Sequence, residues 1–392
     1  TETISTNELV LGADPLMPSP YGKKEATGGI GEEDLVTLTL PYIHSAREGV
    51  IRLGMLHETY GTYESNGIAF SDVDEIWWFE TIGGHHWMAV RVPDDHYVVM
   101  PNQLGIDYFD FEDAYGEQKN YMCSSDLKEF VEKNHLNINK NSFNPRYAFG
   151  SHSDSDHIYN TPRSWDIERY LNPTTFNWYG ENADYTPVSD TLPFSLVPER
   201  LITIEDVKYV LSSHFNGTDY DPYAQHGDKS QRGKYRPIGI NRNNFLHCTQ
   251  LRPYVPKEIM AVEWIAYGSN VFNAFVPFYT NVAKTPAYMH TTMDITTESF
   301  YWANRIIGAM ADANYHECIS FIERYQRNVP AKGHYFINQY DEKYSSTKDI
   351  QLLEEANEEI VKFTREATNK LLQQVLHQRS NAMKNQYSRA DG

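Results

Sequence analysis

Cysteine is scarce in this chain: three residues, Cys123, Cys248 and Cys318, in 392. They are far apart, odd in number and without a C-x-x-C pair. That excludes a disulfide framework and a zinc site, and it suits a reducing compartment. Excess positive charge is also missing. The formal net charge of −19 opposes binding to a phosphate backbone. No apolar run is long enough to span a bilayer, and none reads as a signal peptide. Several chemical signatures are absent as well: a Walker loop, G-x-G-x-x-G, H-E-x-x-H and G-x-S-x-G. No metal or cofactor is therefore expected. The chain opens TETISTNELVLG, without Met, as though cut from something longer.

Aromatics are abundant, with 28 Tyr, 18 Phe and 7 Trp. They concentrate in the stretch around which the chain is organised, Glu75 to Gly105. Ile76 to Ile82 is aromatic and β-branched, Gly83-Gly84 is a two-residue hairpin signal, and His86 to Val92 returns with alternation. After Pro93-Asp94-Asp95, Tyr97 to Met100 reads as a third strand of a packed sheet. It ends at Pro101-Asn102-Gln103. An uncharged amide past the end of a buried strand can face a reacting carbonyl, or it can be an ordinary turn.

In chain order, Thr1 to Val10 alternates loosely as a strand, and Leu11 to Gly31 is a Gly/Pro-rich loop. A helix follows from Glu32 to Pro41. Ser45 to Glu48 is a capping box opening a second helix, with Val50, Leu53 and His57 on one side. Short helices are expected after Ser125 and from Asn160 to Tyr170, the latter with Asn160 as N-cap candidate and Pro162 in its first turn. Ile204 to Phe215 reads as helix. Phe245–Leu251, Ile259–Tyr267 and Phe272–Tyr279 read as strands, with Pro277 placing the last at an edge or bulge. From Thr296 the chain is helical. Phe300–Met310 and Tyr315–Gln326 precede a long helix that starts at Ser346. The apolar stripe of that helix runs Leu353, Ala356, Ile360, Phe363, Ala367, Leu371 and Val375. Helices segregated from two sheets give α+β rather than βαβ alternation.

Few residues suggest chemistry. His85 and His86 point to opposite faces of a strand edge and cannot share a metal. Ser153 to His157 resembles half of a calcium loop without its Gly or closing Glu, and reads as a solvated loop. Cys123 has no base nearby in sequence. Arg163 stands in a first helical turn, where the dipole disfavours a cation. An Arg held there could stabilise a thiolate or bind a carboxylate. On local grounds alone, an exposed Arg and a turn Asn are the simpler account of Arg163 and Asn102.

Seven segments carry a resemblance: SAREGV (Ser45–Val50), YGTYESNGIAFSDVDEIWWFETIGGHHW (Tyr60–Trp87), RVPDDHYVVMPNQLGID (Arg91–Asp107), FNPRYAFGS (Phe143–Ser151), YNTPRSW (Tyr159–Trp165), RPIGINR (Arg236–Arg242) and AYGSNVFNAFVPFYT (Ala266–Thr280). Together they resemble the bacterial dipeptidase A and secernin family of N-terminal-nucleophile hydrolases, related to penicillin V acylase and bile salt hydrolase. The likeness runs to about Ala331. It implies a four-layer αββα sandwich of two antiparallel sheets, with residues 1–293 as the major part of that domain and 294–392 as a C-terminal helical region packed on it.

The resemblance further implies hydrolysis of dipeptides by a Cys at a mature N-terminus, whose free α-amine shuttles the proton. Asn102 then looks like the oxyanion-hole amide and Arg163 like the Arg beside the nucleophile. Arg236 and Asn241, in RPIGINR, are candidate pocket residues against an ordinary turn. The expected nucleophile precedes Thr1, on a companion segment; Thr1 itself does not fit the family register as a nucleophile. An acylase or amidase with the same chemistry, and a non-catalytic interaction protein, stand as alternatives. A small peptide is the expected partner, with neither nucleic acid nor membrane, in a cytoplasmic homo-oligomer. A removed signal peptide stays open.

Overall fold

The computed structural model describes residues 29–138 and 142–384. The expected first strand, most of the Leu11–Gly31 loop and Thr1 lie outside these residues. The architecture is mixed α+β, with antiparallel sheets. The chain divides into two compact units, Thr1–Leu201 and Ile202–Gly392.

The first unit is built on a four-stranded antiparallel sheet. Its strands are β1 (Gly67–Ser71), β2 (Ile76–Gly83), β3 (His86–Val92) and β5 (Tyr121–Cys123), in the order β1-β2-β3-β5. The central hairpin forms as expected, with its loop displaced by one residue. Gly83 pairs with His86, so Gly84-His85 make the turn. Gly83 and Gly84 both have positive φ, at 121° and 59°, which glycine adopts without a Cβ clash.

Both faces of β3 and of most of β2 are buried, whereas Gly67, Ala69 and Ser71 of the edge strand β1 are exposed. Trp77, Phe79, Trp87, Ala89 and Met122 pack with Leu35, Val50 and Leu53. Those three come from the helices Glu32–Thr39 and Ala46–Tyr60. The opposite face, with Ile82, Met88, Val90 and Cys123, meets Leu104, Ile106, Phe130 and Phe149. Burial on both sides explains why β3 carries so little polar alternation.

The helix Ala46–Tyr60 is capped as the sequence suggests on one side only. The Ser45 side chain accepts from Glu48 N at 3.2 Å, but Glu48 Oε2 accepts from His44 N at 2.7 Å instead of Ser45 N. Tyr97–Met100 departs further. Only β4 (Tyr97–Val98) is strand, and it pairs with β6 (Ser195–Leu196) in a separate two-stranded sheet. The second partner of β3, opposite β2, is β5, supplied from beyond a long excursion. Pro93 and two aspartates carry the chain away before Tyr97 can continue the meander.

The second unit contains β7 (Phe245–Leu251), β8 (Ala261–Tyr267) and β9 (Val276–Tyr279), antiparallel in that order. Pro277 lies on β9, which pairs with β8 alone, so the missing N–H falls at an edge of this sheet. The sheet shares one apolar core with the helices Phe300–Asp312, Tyr315–Thr347 and Gln351–Asn381. Leu353, Ala356, Ile360, Leu371 and Val375 of the expected stripe are buried within it, and Phe363 and Ala367 pack against it.

Several boundaries differ from the sequence reading: the strands expected from Ile259 and Phe272 begin at Ala261 and Val276. The helix expected to reach Phe215 spans Ile204–Val210. The helix expected to close at Gln326 continues to Thr347 through Pro330. Ser346 and Thr347 end that helix instead of starting the next. Lys348 is left-handed at φ 58°, and Asp349 Oδ1 then accepts from Gln351 N at 3.0 Å.

Leu53 is fully buried, whereas Met55 two residues on is 55% exposed. Leu53→Ala is expected to lower unfolding free energy by about 2–5 kcal/mol. Met55→Ala should change it by no more than about 0.5 kcal/mol. Chemical denaturation of the two variants checks this pair.

Candidate active site

A buried carboxylate fixes the backbone on which the site rests. Glu80 lies on the β2 face that meets Leu104 and Ile106, and it is 1% exposed. Its Oε1 accepts from Gly105 N at 2.7 Å, Ile106 N at 3.3 Å and Trp78 Nε1 at 3.0 Å. Arg146 holds the other side of the same residue, donating to Gly105 O from Nε at 3.1 Å and from Nη2 at 2.8 Å. Gly105 is thus gripped by both its N–H and its C=O. Burial raises the Glu80 carboxyl to about 7, against the opposing pull of these hydrogen bonds and of Arg146.

Asn102 stands three residues before this clamp. It does not end a strand, as the sequence suggested, because β4 stops at Val98. It sits half-buried in an irregular turn. Arg163 is the third residue of the helix Thr161–Leu171. The structure brings the two together: Arg163 Nη2 donates to Asn102 Oδ1 at 2.7 Å. With the amide oxygen taken by Arg163, the NH₂ end of Asn102 is left as the donor.

Arg163 is tolerated in a first turn because oxygens surround it. Nε donates to Tyr159 O at 2.7 Å, and Nη2 to Asn160 Oδ1 at 2.6 Å. Asn160 therefore does not act as the expected side-chain N-cap. Its own Nδ2 donates to Asp156 Oδ1 at 2.6 Å. Burial opposes ionisation of Asp156, but hydrogen bonds from Ser151, Asn160 and Ser153 outweigh it and hold the carboxyl below its ordinary range. Of the expected solvated loop, Ser153, Asp154 and Ser155 are exposed, whereas Asp156 turns inward. Asp156 is fully buried and anchors a chain of contacts running Asp156–Asn160–Arg163–Asn102.

Asn102 and Arg163 line a cavity of about 300 Å³ with Trp78, Asn66, Gln103 and Glu32. That volume suits a small ligand. A second cavity of about 40 Å³ touches Gln103, Thr161, Ser164, Arg146 and Glu168. Glu168 is 2% exposed, and its Oε2 has no hydrogen-bond partner among the described residues. Burial raises its carboxyl to about 8, with Arg146 opposing.

No thiol of the chain is prepared for attack. Burial pushes Cys123 up to about 12 and Cys248 up to about 11, and it also raises Cys318. Among the described residues, no group of three His, Cys, Asp or Glu side chains could hold a metal ion. No described helix is long and apolar enough to cross a membrane.

Arg236 and Asn241 belong to the second unit. Arg236 is half-buried, and its Nε is buried without a hydrogen-bond partner among the described residues. Asn241 is exposed, and its carbonyl accepts from Arg305 Nη1 at 2.7 Å. Sequence reasoning missed Glu80, Arg146 and Glu168, and it weighed Asp156 only as part of a calcium-like loop. Glu80 did leave a signal, as a carboxylate within an otherwise apolar strand. Arg146 and Glu168 left none, since polar residues in short helices are ordinary.

Comparison with known proteins adds a family. Residues 1–328 match the model of Peptidase family C69. A dipeptidase of Bifidobacterium longum (strain NCC 2705) is 49% identical over 439 residues, covering 100% of this chain and 82% of the relative. A probable dipeptidase A of Streptococcus pyogenes serotype M18 is 48% identical over 394 residues, covering 100% and 79%. Dipeptidase A of Lactobacillus helveticus is 44% identical over 353 residues, covering 90% and 71%.

Glu168 gives a test by pH. Its carboxyl titrates near 8 in the fold against an ordinary value of 4.5, so folding favours the protonated form. Its stabilising contribution is complete below 4.5 and is lost as pH rises to about 8. Glu168→Gln is expected to recover on the order of a few kcal/mol at pH 8 and little at pH 4. Denaturation midpoints of both proteins across that range measure the difference.

Proposed function

This chain belongs to peptidase family C69, and on that premise we propose that it is a dipeptidase, hydrolysing the amide bond of dipeptides through a cysteine thiolate. The observation that carries the site assignment is the 2.7 Å contact between Arg163 and Asn102 at the wall of a cavity of dipeptide size. The names of the relatives support the substrate class.

The nucleophile we propose is an N-terminal Cys on a segment outside this sequence, because burial suppresses ionisation of all three cysteines within it. Its thiolate attacks the amide carbonyl, and its α-amine, which titrates near neutrality, takes the proton and passes it to the leaving amine. Water then releases the acyl group. The Asn102 NH₂ donates to the oxyanion as the carbonyl becomes tetrahedral, its orientation set by Arg163. Arg163 also lowers the thiol pKa electrostatically.

The architecture we propose is the four-layer αββα sandwich, with residues 1–293 as its major part and 294–392 as the helical region packed on it. Helices against the sheet of each unit support this reading. Arg236 and Asn241 are proposed as outer pocket residues on their position in the family-like segment alone.

Incubating the native protein with dipeptides and quantifying free amino acids tests the activity. Iodoacetamide should abolish it, and N-terminal sequencing should find a Cys terminus. Release that survives complete alkylation would exclude the thiol mechanism, and no release from any dipeptide would exclude the function. Asn102→Ala should lower kcat by roughly 10²–10³-fold with little change in KM. Arg163→Met should move the acidic limb of the rate profile to higher pH, because the thiolate loses a neighbouring cation.

A further inference from the structure

The second unit contains a cavity of about 540 Å³ that the peptidase reading does not use. Its apolar wall includes Val271, Phe275, Ile319 and Pro330. The volume falls within the range of small-molecule pockets. Lys208, on the helix Ile204–Val210, also lines it and is 7% exposed.

Lys208 Nζ donates to Ser212 Oγ at 2.6 Å and to Asn270 O at 2.8 Å. Ser212 Oγ in turn donates to Lys208 O at 2.6 Å. These partners are neutral, and they occupy two of the three donors an ammonium carries. Among the described residues, no carboxylate forms an ion pair with Nζ.

The charged and titratable groups that share the lining are placed elsewhere. Glu205 accepts from His334 at 2.9 Å. His214 is held by Asp221 at 2.8 Å and by the Tyr315 hydroxyl at 3.2 Å. Glu323, Arg327 and Tyr209 are exposed. A buried cation on a cavity wall, paired with no carboxylate among the described residues, favours an anionic occupant.

We propose that this cavity binds a small monocarboxylate with an apolar body, its carboxylate accepting the remaining Lys208 N–H and its body lying on Val271, Phe275 and Ile319. A linkage follows from the burial that lowers Lys208 to about 7. Above that pH the amine of the empty site is mostly neutral, while a bound carboxylate favours the ammonium. Binding therefore takes up a proton at alkaline pH and weakens as pH rises.

Calorimetry on the full chain with phenylacetate, in two buffers of different ionisation enthalpy at pH 6 and pH 8, tests the proposal. Neutral phenylacetamide is the comparator. Phenylacetate should bind about tenfold tighter or better, as expected for a charge-assisted bond. Proton uptake should approach about one per ligand at pH 8 and be small at pH 6. Lys208→Met should lose both the preference and the uptake, whereas Arg327→Gln at the exposed rim should retain them. Equal binding of the two compounds, no binding of phenylacetate, or full preference in Lys208→Met would overturn the proposal. Should Lys208→Met fail to fold, the comparison of acid and amide on the unaltered protein decides alone.

Discussion

A carboxylate in an apolar interior is costly unless the surrounding backbone repays it, and the first unit is arranged around one such case. Glu80 leaves water on the inner face of β2 and receives the N–H groups of Gly105 and Ile106. Arg146 closes the same peptide from its carbonyl side and extends to the carbonyls of Asp190 and Leu192. The irregular segment after β4 has no ladder to hold it. Its position depends on this pair of side chains, and so does the position of Asn102 three residues earlier. The apolar clusters on either side of the sheet supply the bulk of the stability, while the Glu80 contact supplies a fixed point.

The placement of Arg163 follows a similar logic. A cation in the first helical turn meets the positive end of the dipole, and a lone Arg there would swing into solvent. Here the Tyr159 carbonyl and the side-chain oxygens of Asn160 and Asn102 gather around the guanidinium, with the anionic Asp156 one link behind. Asn160 gives up the usual N-cap role to serve in this chain. A local helix rule is broken where a polar network needs the residue elsewhere, which is where such violations are expected.

In the second unit the helix Tyr315–Thr347 keeps its course through Pro330. Proline in a helix interior costs about 3 kcal/mol. Val329, Ile337, Tyr340 and Tyr344, beyond or beside that point, are all buried in the shared core. Burying a large apolar side chain contributes about 1.5–3 kcal/mol, so several together outweigh the proline. The local signal and the tertiary result differ because the compensation lies in the sheet and helices that this helix packs against.

Periodicity and turn chemistry in the sequence determine the elements that draw on local information: the β2–β3 hairpin, the helix Ala46–Tyr60, β7, and the stripe of the final helix. The α+β class follows from their order, and the family follows from long runs such as EIWWFETIGGHHW and YNTPR. Asn102 and Arg163 were legible as residues of interest, though not as partners, because 61 positions separate them and hydrogen bonding across that distance leaves no local pattern. Only the tertiary structure decided that β5 replaces Tyr97–Met100 beside β3, that Glu80 and Arg146 clamp Gly105, and that Lys208 meets a cavity while paired with no carboxylate among the described residues. Each of those is set by burial and by partners remote in the chain. A sequence window records propensity, whereas desolvation and pairing exist only once the chain has closed on itself.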